Sequence, residues 1–140
     1  MLKEIHDHMV HELHQNARTD TVFVVAAVLF NLVVLGINWG VASDAARGRD
    51  AGQKDLILGL LIVGTVLINL FAFKALTAGK TTRRKIVSGL QQMYADNGVD
   101  KYYSQDLLAA GMVRYTLFTL VLAVLAVIAI VVPLIERTAG

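Results

Sequence analysis

The chain has 140 residues, one domain's worth, of which 56% are hydrophobic and 17% charged. Soluble domains run at about 45–50% apolar and about 25% charged, so both shifts argue against a water-soluble enzyme and against disorder. The absence of cysteine excludes a disulfide scaffold, a thiolate metal site and cysteine catalysis, and a net charge of +2 is too small for a nucleic-acid binder.

Residues 1–20 read as a cytoplasmic amphipathic helix. Leu2, Ile5, Met9 and Leu13 recur at spacings of three and four, and Asn16 and Asp20 continue the row. No glycine or proline separates this segment from the apolar run that follows, so one helix of roughly 40 residues and roughly 60 Å is expected. All four histidines, His6, His8, His11 and His14, fall within it. They are candidates for metal binding or pH sensing. On a helical wheel His8, His11 and His14 lie opposite the apolar row, where a solvated surface is the plainer reading, and His6 borders it.

Three runs are long enough to cross a bilayer core of about 30 Å, which takes roughly 20 helical residues. They are residues 21–41, 56–76 and 115–135, and none contains an acid. Val41-Ala42-Ser43 has the small-x-small form of a signal cleavage site. The first run is too long for a signal core, however, and follows four acids, so an uncleaved first span is expected.

Within the first span Asn31 and Asn38 share a face that extends back through Asp20 and Asn16. Gly36 and Gly40 form a GxxxG on the other side, which predicts close packing of a neighbouring helix there. Two amides and a carboxylate on one face point to a pore lining of Asn16, Asp20, Asn31 and Asn38. The competing reading is an interhelical bond within the chain, with Asn69 on the second span, one turn after Thr65, as the partner of Asn31.

Residues 42–55 form an external loop, and residues 77–114 a cytoplasmic segment holding an amphipathic helix at 81–96 with Gly98 as its stop. Ile86, Leu90, Met93 and Tyr94 share one face of that helix. Arg83, Arg84 and Lys85 place cations at its N-terminus, which the helix dipole disfavours. Anionic lipid headgroups would offset this if the helix lay on the membrane surface. Packing against the N-terminal helix is the alternative. Ser104-Gln105-Asp106 resembles a helix cap. The third span is polar only at Tyr115, Thr116 and Thr119, so it is expected outermost, against lipid; residues 136–140 form an external tail.

Lys3, Arg18, Lys74, Lys80, Arg83, Arg84, Lys85, Lys101 and Arg114 flank the spans on one side, against Arg47, Arg49, Lys54 and Arg137 on the other. The excess predicts a multi-pass plasma-membrane protein with its N-terminus inside and its C-terminus outside. Asp96-Asn97-Gly98-Val99-Asp100 fails as a calcium loop, because Lys101 and Leu107 stand where glycine and glutamate are needed. No catalytic or phosphate-loop motif is present, and no intramembrane acid offers proton coupling. The expected fold is therefore all-α, with three spans, a long first helix and an interfacial helix, no cofactor and no enzymatic activity. The expected function is a homo-oligomeric cation channel lined by the first span, with its glycine face covered by the second. The alternative is a non-conducting scaffold or accessory subunit of a larger membrane complex.

Overall fold

The computed structural model describes residues 1–48, 51–102 and 105–139. Ser104, Arg49 and Gly140 lie outside the described residues. Three helices account for most of the chain: α1 (Leu2–Ala46), α2 (Ala51–Asp96) and α3 (Gln105–Ala139), with a single 3-10 turn at Asp100–Tyr102 before α3. Each contains one of the three apolar runs, and each is long and apolar enough to cross a membrane. That is the architecture of a multi-pass membrane protein. Large apolar side chains such as Val22, Leu29, Leu60, Phe71, Leu120 and Val127 are exposed around all three helices, as a lipid-facing belt requires.

At 45 residues, α1 is about 67 Å long. The joint to α2 is a glycine stop: Gly48 takes φ 74° and its N–H reaches the Ala45 carbonyl at 3.1 Å. Helix α2 runs back along α1, and α3 returns parallel to α1. The bundle therefore has a loop end, where all three helices meet, and a stalk end, where α1 and α2 continue as a pair.

The interfacial helix expected at 81–96 is not a separate element. Helix α2 passes without interruption through Gly79 and Lys80 and stops at Asp96, where Gly98 takes φ 65°. Thr77 and Thr81 stay inside the helix by bonding back to Phe73 O at 2.9 Å and Thr77 O at 3.0 Å. Arg83, Arg84 and Lys85 consequently lie mid-helix, and the dipole conflict that motivated a surface placement disappears. The stalk segment packs on α1 instead. Gly89 faces the Met9 terminal methyl, Leu90 is buried, and His6 Nε2 lies 3.1 Å from the Tyr94 hydroxyl.

Helix α3 packs against both other helices and exposes apolar side chains on its remaining surface. Leu122, Ala129 and Pro133 are buried, and Tyr115 and Leu122 join Val24, Ala27, Ala72 and Leu76 in the core. The interior favours small residues: Ala27, Ala42, Ala45, Thr65, Ala72 and Ala129 are all buried. Without a hydrophobic driving force between helices in lipid, close approach of backbones is what small side chains contribute.

Polar contacts tie every pair of helices at the loop end. Lys54 reaches Asp44 at 3.1 Å, Ser43 donates to Glu136 at 2.9 Å, and Arg137 grips Asp55 through Nε at 2.6 Å and Nη2 at 2.9 Å. The Arg137 bond holds the Asp55 carboxyl below its usual value, against a weaker opposing effect of desolvation, and Asp55 in turn raises Arg137. A lowered carboxylate value means the clasp contributes fully above the unfolded value of about 4 and is lost as pH falls through the folded one. In Arg137→Gln the Asp55 titration, followed by carbon-13 NMR of the carboxyl, should move upward, because the bond that lowers it is gone. An unmoved midpoint would mean that the two side chains do not interact.

Candidate functional site

The face of α1 that carries Asn16, Asp20, Asn31 and Asn38 is turned into the bundle. Asp20 is 7% exposed, Asn31 1% and Asn38 0%, while Asn16 is half-buried. The wheel placed these residues on one face; the structure places α2 and α3 of the same chain against that face. Each of the three buried side chains is taken up by a neighbouring helix of the same chain. Gly36 and Gly40 look outward, with nothing within 4 Å of an added Cβ at either. Within this chain the second helix thus packs on the amide face, not on the glycine face. The amides win that contact because an unpaired amide in lipid is costly and a bare glycine is not.

The middle of the bundle is held by an amide pair. Asn31 and Asn69 exchange Nδ2–H···Oδ1 bonds at 2.9 Å in both directions. Each spends its second N–H on the carbonyl one turn earlier, Ala27 and Thr65, at 2.8 Å. The Thr65 hydroxyl likewise donates to Leu61 O at 2.8 Å. All donors of both amides are satisfied without water.

Nearer the loop end, Asn38 Nδ2 makes a long bond of 3.5 Å to Ala129 O, and its Oδ1 is buried without a partner. That carbonyl is available for a reason visible in sequence. Four residues on stands Pro133, buried inside α3, whose nitrogen has no hydrogen to return to Ala129. Asn38 supplies the donor that the proline removes. Asn38→Leu should therefore cost about 1 kcal/mol in the natural chain and distinctly less in a Pro133→Ala background, measured by thermal unfolding in detergent. Equal costs in the two backgrounds would uncouple the pair.

At the stalk end of the apolar belt all three helices meet in a polar node. Tyr115 donates its hydroxyl proton to Asp20 Oδ2. Asn16 Nδ2 lies 3.1 Å from the same oxygen, 3.2 Å from Gly79 O and 3.1 Å from the Tyr115 hydroxyl. Gly79 makes room for the carboxylate: a Cβ there would stand 2.8 Å from Asp20 Cγ. Beside the node, Arg83 is half-buried against Gly111, where a Cβ would lie 2.8 Å from its Nε, and that Nε is buried with no acceptor.

The four N-terminal histidines do not converge. His8, His11 and His14 are exposed, and among the described residues no group of three or more His, Asp or Glu could hold a metal. Reading by residue type missed Gly79, Gly111, Tyr115 and Pro133. A lone proline four residues after a small residue was a usable signal; a glycine that admits another helix's carboxylate leaves no mark on periodicity. Comparison with protein-family models, with curated proteins and with solved structures finds no match for this chain.

Proposed function

We propose that this chain is a non-conducting, non-catalytic membrane scaffold or accessory subunit: a three-helix membrane anchor that holds a two-helix stalk, α1 with α2, away from the bilayer for a protein partner. The observation that carries this reading is the fate of the intramembrane amides. Asn31, Asn69 and Asn38 bond within the chain, and the outward faces of the spans are apolar away from their stalk-side ends, where Thr21, Lys74, Thr116 and Thr119 are exposed. A pore formed by repeating the subunit would need polar groups on those outward faces. The same bonding removes free groups for chemistry in the spans. What the chain offers to water is the stalk, with His8, His11, Glu12 and His14 exposed along it.

The positive-inside excess orients the stalk toward the cytoplasm and the loop end outside, in the plasma membrane. Cysteines introduced at exposed Arg47 and Thr138 should label from outside intact cells, and one at exposed Ser88 only after permeabilisation. The reverse pattern would invert the topology. For function, reconstituted protein should pass no more potassium or chloride than empty vesicles, while photo-crosslinkers at His8 or His11 should capture a discrete partner in native membranes. Ion flux that scales with the amount of protein reconstituted would overturn the scaffold reading.

A further inference from the structure

Between α2 and α3, just beyond the apolar belt, lies a cavity of about 570 Å³ lined on the α2 side by Lys80, Arg83, Arg84 and Ser88 and on the α3 side by Thr116. We propose that this cavity binds a phosphate ester, presented by the headgroup of an anionic phospholipid or taken up in soluble form. The inference needs only that the chain is embedded in a membrane and is independent of the scaffold reading.

Charge is the first argument. Three cations line the cavity and no carboxylate does. Among the described residues, none of Lys80, Arg83 and Arg84 makes an ion pair. Like charges one turn apart on a helix repel, so this spacing favours an anion that screens it. Arg83 adds a sharper point. Its guanidinium is pressed against Gly111 and its Nε is buried with no acceptor. That edge is closed by α3, so an anion in the cavity would meet Arg83 on the side that lines it, where a charge-assisted hydrogen bond is the strong kind.

Depth is the second argument. The apolar run of α2 ends near Leu76, which puts Lys80 about 6 Å and Arg84 about 12 Å further along the axis. The headgroup layer beyond the hydrocarbon is about 5–8 Å thick, so Lys80 stands within it and Arg84 about 4 Å past it, where a long side chain can reach back. Thr116 faces them from the start of the third span, and Ser88 from the water side. Both hydroxyls can donate to phosphate oxygens. Lys85, although next in sequence to Arg84, does not line the cavity, and this separates a built site from general basic attraction.

The test uses the full-length protein in phosphatidylcholine nanodiscs, with thermal unfolding and native mass spectrometry as readouts. Adding phosphatidylglycerol should raise the unfolding temperature and leave lipid bound. Arg84→Gln, at an exposed position, should weaken retention about fivefold, Ser88→Asp should abolish it by placing a carboxylate in the cavity, and Lys85→Gln should leave it unchanged. Stabilisation by soluble glycerol phosphate in neutral discs, with no further gain from phosphatidylglycerol, would keep the site and assign its ligand to the soluble pool. Equal weakening by Lys85→Gln and Arg84→Gln, or no stabilisation by either phosphate source, would overturn the proposal.

Discussion

Asn31→Leu should destabilise the folded chain by about 1–2 kcal/mol, and the double variant with Asn69→Leu should cost clearly less than the two single changes added together. In the single variant, Asn69 keeps its bond to Thr65 O but its Oδ1 loses its one cross-helix donor in a site that is 4% exposed. An amide oxygen without a donor in an apolar interior pays its desolvation in full. Replacing both amides leaves nothing unsatisfied, and two leucines gain packing where the hydrogen bonds stood. Reversible unfolding in mixed micelles supplies all four corners of the cycle. Additive costs would mean that the two side chains do not act as a pair. If Asn31→Leu left stability alone and changed ion flux in reconstituted vesicles, its role would lie in a pore and not in the bundle.

Gly79→Ala should lower stability by about 1–3 kcal/mol even though it replaces a poor helix former by the best one. On an exposed helix face the same change would gain about 1 kcal/mol from propensity. Here the new methyl would overlap the Asp20 carboxylate. That carboxylate cannot swing aside freely, because Tyr115 and Asn16 both hold it and α1 and α3 are tied together through it. Either the Asp20–Tyr115 bond breaks, leaving a buried charge short of donors, or α1 and α2 separate at the base of the stalk. In an Asp20→Ala background the obstacle is gone, and Gly79→Ala should then cost less or become favourable. A stability gain from Gly79→Ala in the natural chain would mean that the node is looser than its geometry implies.

Much of this molecule is determined by its sequence alone. Three acid-free runs of bilayer length leave the backbone no option but helix, since lipid offers no partner for a bare N–H or carbonyl. The absence of a breaker before Thr21 makes α1 one long rod, and a period near 3.6 puts Asp20, Asn31 and Asn38 on a common face. Periodicity says which side chains travel together; it does not say what stands opposite. In lipid, apolar helix faces are nearly interchangeable as packing surfaces, so the choice of neighbour falls to the few polar groups that must find each other. That choice is tertiary: Asn31 meets Asn69 and not a symmetry axis, Asp20 meets Tyr115 from 95 residues away, and Asn38 meets the carbonyl freed by Pro133. The stalk shows the same division. The apolar row of Met9 and Leu13 and that of Leu90 and Met93 were each legible, and either row would have suited a membrane surface. Close packing on α1 is what the structure shows: Gly79 leaves room for the Asp20 carboxylate and Gly89 for the Met9 methyl, and α2 runs on so that its row meets that of α1.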